Sequence, residues 1–296
     1  MAGLPFDDRD GSIWFNGKIT PWREAKVHVL THGLHYGSGV FEGIRAYGGK
    51  IFKLKEHAER LVAGAAAMDM KCPYTSEEIA AACEETVRLN NIGDGYLRPL
   101  VWRGAEQMGV AAQGSKINCA VAAWEWPRYF SAELHEKGIS LVTSKWRRPA
   151  PDTAPVHVKA TGLYMICTLS KHHAESLGFN DSLMLDYRGY VAEMTGANLF
   201  FVKDGALHTP VPDCFLDGIT RRTVIELARQ AGLSVTERII LPEELKKFDE
   251  CFATGTAAEV TPVGRIDDIT YTVGPVTRKL SEAYGRLVRA SATVTA

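Results

Sequence analysis

The sequence predicts a mixed α/β (α+β) fold in two lobes with a cleft between them. Three observations point there. The chain has 296 residues, which suits one large domain or two of ordinary size. Strand-like meanders alternate with helical stretches through both halves. The stretch from Glu125 to Gly138 has mixed polarity, contains Pro127 and reads as a connection, giving lobes at 1–126 and 138–296 joined by a loop at 127–137. This stretch also carries Trp126, Tyr129 and Phe130. A structureless linker rarely needs such aromatics, so part of it is expected to line a site.

The elements follow in order. Ser12-Ile13-Trp14-Phe15 before Asn16-Gly17 is a strong hairpin signal. Val40 to Tyr47 reads as β-rich, and Gly48-Gly49 turns it into Lys50 to Leu54. Helices are expected from about His57 to Met68 and from Thr75 or Ser76 to Asn90, where Ser76 and Glu78 mark the start. Strands return at Tyr96 to Trp102, Asn118 to Trp124 and Ile139 to Thr143. A loop with Pro149, Pro151 and Pro155 leads into a strand carrying Lys159, then a helix from about Gly162 to Leu177. Strands at Ser182 to Asp186, Tyr190 to Glu193, Asn198 to Val202 and Leu207-His208 are punctuated by Arg188-Gly189 and Asp204-Gly205. A helix from Thr220 to Ala231, a strand from Ser234 to Ile240, and a short proline-initiated helix from Pro242 to Phe248 come next. Strands at Cys251 to Thr254 and Glu259 to Val263 precede an amphipathic helix from Val276 to about Ala290.

Bulk properties narrow the function. The chain is 46% hydrophobic and 23% charged, ordinary for a globular protein with a real core. With 34 basic and 35 acidic residues its net charge is -1, which gives no electrostatic case for nucleic acid or an acidic membrane. The six cysteines are scattered without a C-x-x-C pair, as expected of reduced thiols in the cytoplasm. The acidic start lacks the apolar run of a signal peptide, and no apolar stretch is long enough to span a membrane.

Candidate chemistry starts at Lys159, in an otherwise uncharged stretch from Thr153 to Tyr164. An apolar strand end disfavours an ammonium, lowers the amine's pKa and makes it a competent nucleophile toward a carbonyl. By itself it is also an ordinary strand-edge lysine whose head reaches water. Three later features fit one ligand with it. Glu193 ends an apolar strand, and a carboxylate there can face a protonated ring nitrogen. Leu216-Asp217-Gly218-Ile219-Thr220 opens a helix whose free amides suit an anion. Gly255-Thr256-Ala257-Ala258-Glu259 is a small-residue turn that lets amides approach an oxyanion. Each is commonplace alone. Together they supply an aldehyde-trapping amine, a counter-charge for a pyridinium and two anion cradles, the set that pyridoxal phosphate requires.

A resemblance then covers about Ile13 to Leu287. The chain resembles the branched-chain amino-acid aminotransferases, pyridoxal-phosphate enzymes of fold type IV. The strings that carry it are Trp14-Phe15-Asn16-Gly17, Leu34-His35-Tyr36-Gly37, Val40-Phe41-Glu42-Gly43-Ile44-Arg45, Tyr96-Leu97-Arg98-Pro99-Leu100, Met108-Gly109-Val110, Glu193 with Asn198-Leu199-Phe200, Gly218-Ile219-Thr220-Arg221, and Gly255 through Val263. The resemblance implies a smaller N-terminal and a larger C-terminal lobe with the cofactor between them. It implies transfer of the amino group of leucine, isoleucine or valine to 2-oxoglutarate, ping-pong through pyridoxamine phosphate. Lys159 would join the cofactor's aldehyde and later move a proton. Glu193 would pair with the ring nitrogen and Tyr164 with the 3-oxygen. Arg60, Gly218, Ile219, Thr220, Gly255 and Thr256 would hold the phosphate end. Tyr96, Thr256 and Ala257 would take the substrate α-carboxylate. Tyr36, Phe41, Gly43, Val110, Trp126 and Tyr129 would form the apolar pocket, and Arg98 with Tyr129 would meet glutamate's distal carboxylate. Tyr36 and Met108-Gly109-Val110 would come from a neighbouring subunit, making a homodimer the minimum unit and a hexamer the larger option. One departure is Met194-Thr195-Gly196-Ala197, where related enzymes often carry a Gly-Ala-Gly-Glu-type run.

Other readings remain open on residues alone. The same fold hosts R-selective amine transaminases, D-amino-acid aminotransferases and aminodeoxychorismate lyase. A non-catalytic binding protein would be expected to lose Lys159 or Glu193. His28, His32 and His35 have a spacing that invites a metal, but Val27, Val29 and Leu30 suggest strand and loop, and no acidic or cysteine partner completes a set, so no metal is expected.

Overall fold

The computed structural model describes residues 5–126 and 130–290. They form two compact units, described in turn. The first takes residues up to 126 together with Val158–Gly162. The second takes 130–157 and 163–290.

In the first unit, β1 (Ser12–Phe15) and β2 (Lys18–Pro21) form the expected hairpin. Asn16 and Gly17 both have positive φ, 48° and 82°, the geometry of a two-residue turn that matches strand twist. Next come α1 (His32–Tyr36), β3 (Gly39–Phe41), β4 (Ile44–Tyr47), β5 (Lys50–Ile51), α2 (Leu54–Ala67), α3 (Ser76–Leu89), β6 (Gly95–Arg103) and β7 (Ile117–Glu125). The antiparallel sheet runs β2-β1-β7-β6-β4-β5, with β3 also on β6. Its apolar face packs Leu97, Val101 and Val121 against Leu61 and Ala65 of α2 and Ile79 and Cys83 of α3. The start of α3 is fixed by a capping box: Thr75 Oγ1 accepts from Glu78 N, and Glu78 Oε2 accepts from Thr75 N.

The second unit contains α4 (Ala132–Lys137), β8 (Ile139–Thr143), α5 (Tyr164–Ser176), β9 (Asp181–Leu185), β10 (Val191–Met194), β11 (Asn198–Lys203), β12 (Ala206–Pro210), α6 (Ile219–Gln230), β13 (Val235–Arg238), β14 (Glu250–Gly255), β15 (Glu259–Ile266), β16 (Ile269–Thr270) and α7 (Pro275–Ala290). Its sheet runs β10-β9-β8-β15-β14-β11-β12-β13, and β10 also pairs with β11 at Glu193 and Asn198. That extra pairing closes β8, β9, β10, β11, β14 and β15 into a ring around Leu141, Leu183, Leu199, Ala253 and Val263. The start of α7 is held by Glu250, whose Oε2 accepts from Thr277 N at 2.8 Å and from Thr277 Oγ1 at 2.6 Å.

Four expectations need correction. Lys159 lies on no regular strand: residues 156–159 are turn and coil, and the neighbouring Ala160 makes only an isolated bridge to Val40. The prolines upstream withhold the donors that a ladder needs. The segment Val158–Gly162 groups with the first unit, not with the C-terminal lobe where the sequence placed it. Phe41 N donates to Lys159 O at 3.1 Å, and Thr161 Oγ1 donates to Gly37 O at 3.0 Å. A Cβ on Gly37, whose φ is +65°, would sit 3.0 Å from Gly162 Cα, so glycine permits this approach. The expected loop at 127–137 contains the helix α4, with Ser131 as its side-chain cap. Residues 32–36, expected as strand or loop, form a helical turn ending in Gly37.

Candidate active site

Within the first unit, β3, β4, β6, α2 and the Lys159 segment converge. Lys159 is half-buried, and its Nζ lies 4.8 Å from the centre of the Phe41 ring. Two residues beyond Phe41, Gly43 is buried. A Cβ there would lie 1.8 Å from Tyr96 Oη, so the glycine makes room for that hydroxyl. Tyr96 itself is wedged by Trp126, edge-on at 4.6 Å, and by Trp124 at 5.4 Å. The Arg98 guanidinium spreads over the Phe41 ring at 4.7 Å and the Tyr96 ring at 5.5 Å. Five of the expected pocket residues, Phe41, Gly43, Tyr96, Arg98 and Trp126, therefore form one connected group. Tyr129 lies outside the described residues.

Arg60 reaches the same region from α2. Its Nε donates to Glu42 Oε1 at 2.7 Å and its Nη2 to Glu42 Oε2 at 2.9 Å. His57 Nδ1 lies 2.6 Å from the same Oε2. Glu42 is almost fully buried. Burial pushes its carboxyl upward, but the Arg60 charge and the His57 hydrogen bond outweigh this and bring it down to about 2. For His57 burial dominates and lowers the imidazole pKa, despite the upward pull of Glu42. Arg60 Nη1 is buried and makes no hydrogen bond among the described residues.

Tyr36 and Val110 are exposed, at 46% and 86% of their surface. One buried histidine links them. His32 stacks on Tyr36 with ring centres 4.5 Å apart, and its Nε2 lies 2.9 Å from Gly109 O. His35 Nε2 pairs with Val29 O, and His28 Nδ1 accepts from Leu30 N. The three histidines whose spacing drew attention are engaged with the backbone.

In the second unit, Glu193 sits on β10 where it meets β11. Its Oε2 accepts from Asn198 Nδ2 at 3.2 Å, and its Oε1 lies 3.3 Å from Arg148 Nε. Burial works most strongly against the Arg148 charge, but Glu193 together with smaller contributions from its neighbours outweighs it, so the guanidinium pKa stands above its usual value. Asn198 Nδ2 also donates to Leu216 O at 3.0 Å. That tie anchors the chain that enters α6. A Cβ on Gly218 would lie 2.2 Å from Asn198 Oδ1. No side chain caps the N-terminus of α6, at Ile219 and Thr220. Tyr164 opens α5. Gly255 ends β14, and Thr256-Ala257-Ala258 form the turn into β15.

These groups amount to an amine beside an aromatic face, a carboxylate paired with Arg148, an arginine with a spare edge and an uncapped helix start. A family model for amino-transferase class IV matches residues 39–266. The chain belongs to the class IV aminotransferases. This aminotransferase is 45% identical over 282 residues to a probable branched-chain-amino-acid aminotransferase of Rickettsia felis, covering 94% of this chain and 96% of the relative. It is 44% identical over 288 residues to the branched-chain-amino-acid aminotransferase of Pseudomonas aeruginosa, covering 95% and 94%. Among solved structures it resembles a T.th. branched-chain amino acid aminotransferase with pyridoxamine 5′-phosphate, with a TM-score of 0.92 at 42% identity, covering 96% and 95% of the two chains.

Sequence reasoning assigned no role to Glu42, which holds Arg60, to His57, which meets Glu42, or to Arg148, which meets Glu193. Glu42 had a usable signal, an acid inside an otherwise apolar strand run, which demands a buried cationic partner. Arg148, in a proline-rich loop, had none. A further cluster lies in the second unit: Arg188 Nη2 bridges Asp186 at 2.6 Å and Asp213 at 2.7 Å, beside Cys214. The arginine already supplies the positive charge that these acids need.

Proposed function

We propose that the chain is a pyridoxal-phosphate-dependent branched-chain amino-acid aminotransferase, carrying the amino group of leucine, isoleucine or valine to 2-oxoglutarate in two half-reactions. The observation that carries this reading is the half-buried Lys159 amine on the Phe41 face, in the same unit as an Arg60 whose Nη1 is buried without a partner. An orphaned guanidinium nitrogen suits a phosphate oxygen, so the residues fit the cofactor. When bound, that cofactor supplies an aldehyde for the amine and a ring that withdraws electrons from the substrate Cα.

The protein's own groups do the rest. Lys159 presents the nucleophilic amine and then carries the proton to and from the substrate Cα. Glu193, fixed by Asn198 and Arg148, would receive the ring N–H. Tyr164 would donate to the ring's 3-oxygen. Arg60, with the amides at Gly218, Ile219 and Thr220 and the turn at Gly255 and Thr256, would hold the phosphate. Tyr96, Thr256 and Ala257 orient the α-carboxylate. Phe41, Gly43, Trp126, Tyr129, Tyr36 and Val110 face the aliphatic side chain, and Arg98 takes the distal carboxylate of glutamate. The branched-chain names of the relatives disfavour the R-amine and D-amino-acid alternatives.

We also infer that the working form is a homo-oligomer, a dimer at least. Supporting this, Val29, Leu34, Tyr36, Met108 and Val110 are large apolar residues left exposed on the first unit. The uncoupled cysteines support a cytoplasmic setting. Among the described residues no helix is long and apolar enough to cross a membrane.

The test is to mix the purified, cofactor-loaded protein with L-leucine and 2-oxoglutarate. Glutamate and 4-methyl-2-oxopentanoate should form together. Faster turnover of R-1-phenylethylamine than of leucine would decide for the amine enzymes.

A further inference from the structure

Arg60 is not presented as a free cation. Glu42 grips it side-on, with Nε on Oε1 and Nη2 on Oε2, at 2.7 and 2.9 Å. A guanidinium held in this way has one edge spent and the opposite edge, containing Nη1, fixed in direction. Nη1 has no hydrogen-bond partner among the described residues. The carboxylate is itself held: His57 Nδ1 meets Oε2 at 2.6 Å, and Glu42 N donates to Pro99 O at 2.8 Å. Both Glu42 and His57 are nearly fully buried, so neither arrangement is a surface accident. The geometry has a cost for an anion site, because a full negative charge lies against the cation that should attract phosphate. Attraction alone would leave Arg60 unpaired. Fixing its orientation is the reason to keep the acid.

We infer that Glu42, braced by His57, is a positioning residue for phosphate recognition, locking Arg60 so that its Nη1 edge meets the phosphoryl group and phosphorylated pyridoxal is preferred over the unphosphorylated form. This rests on the reading that Arg60 takes the cofactor's phosphate. An arginine released from this grip must be ordered anew each time the ligand binds, which costs affinity for the phosphorylated ligand alone.

The experiment titrates cofactor-free protein with pyridoxal 5′-phosphate and, separately, with pyridoxal, following tryptophan fluorescence and the visible spectrum. The readout is the ratio of the two dissociation constants. Glu42→Gln keeps shape and removes the charge. It should lower the preference for the phosphorylated ligand roughly tenfold, the loss of one charge-assisted contact's worth of order, and leave pyridoxal affinity within about twofold. Arg60→Ala should lower the ratio at least as far, and adding Glu42→Gln to it should change nothing more, because the two act through one contact. Three results overturn the inference: tighter phosphate binding in Glu42→Gln, which would make the acid purely repulsive; equal losses for both ligands, the mark of a structural role; or additive effects in the double variant. If Arg60→Ala leaves the ratio unchanged, the underlying phosphate reading fails instead. Where Glu42→Gln does not fold, His57→Gln decides. It should shift the ratio in the same direction by a smaller factor, and an unchanged ratio overturns the inference.

Discussion

Gly43→Ala inserts one methyl group where the structure has no room. The new Cβ would lie 1.8 Å from Tyr96 Oη and 2.7 Å from Cζ, against an ordinary contact of 3.4 Å or more. The hydroxyl must retreat by about 1.6 Å, the difference between 3.4 and 1.8 Å. Trp126 and Trp124 block the ring's sideways escape. Overpacking of this kind costs about 2 kcal/mol, which corresponds to a fall in Tm of roughly 4–8 °C. A displacement beyond 1 Å of a group that orients substrate lowers kcat/KM on the order of 100-fold. Thermal unfolding and leucine kinetics would be measured on four proteins: the parent, Gly43→Ala, Tyr96→Phe and the double variant. Tyr96→Phe removes the nearest atom and leaves the 2.7 Å contact, so the double variant should regain part of the lost Tm but little of the lost activity. A Gly43→Ala protein with unchanged Tm and leucine KM would refute the packing and, with it, the placement of Tyr96.

Three further outcomes are expected. Glu250→Ala removes the acceptor of Thr277 N and Oγ1 and leaves buried donors unpaired, so denaturant unfolding should show a loss of about 2–3 kcal/mol. Acid should weaken the first unit. The Glu42 carboxyl titrates at about 2 in the folded state and near 4.5 otherwise, so its contribution is complete above pH 4.5 and is lost as pH falls toward 2. The His57 shift is also downward, so its contribution is complete above about pH 6.5 and falls as pH drops, with the same sign. Glu42→Gln should flatten the lower part of that stability profile. Finally, the Cys119 hydrogen bond lowers the Cys72 thiol to about 7, and Cys72 is the most accessible of the six cysteines, so a native-state alkylation time course should label Cys72 first and Cys83 and Cys251 last.

Particular residues show what the sequence could reveal. Asn16-Gly17 announced its turn and the Thr75-Ser76 start with Glu78 its helix because both signals are local, although Thr75 and not Ser76 makes the cap with Glu78. Glu193, Gly218 and Gly255 stood out for similar reasons, each closing a strand or opening a helix. The Lys159 segment misled as a strand because its apolar residues pack against Val40 and Phe41, more than 100 residues earlier, through one bridge and one hydrogen bond. Such long-range ties leave no periodicity behind. The helical turn His32–Tyr36 was hidden for a related reason. His32 Nε2 meets the distant Gly109 carbonyl, a tie that no apolar stripe in the segment announces. Arg148 and Glu193 find each other across 45 positions because both lie against β9: Arg148 N donates to Leu185 O, and Glu193 pairs with Met184.

The proposed function stands or falls on which amine meets the cofactor. Borohydride reduction of the pyridoxal-phosphate-loaded protein, followed by peptide mapping, should place a single phosphopyridoxyl group on Lys159, and Lys159→Ala should fold, stay colourless and carry none. A label on a different lysine, or a parent protein that takes up no label at all, would contradict it.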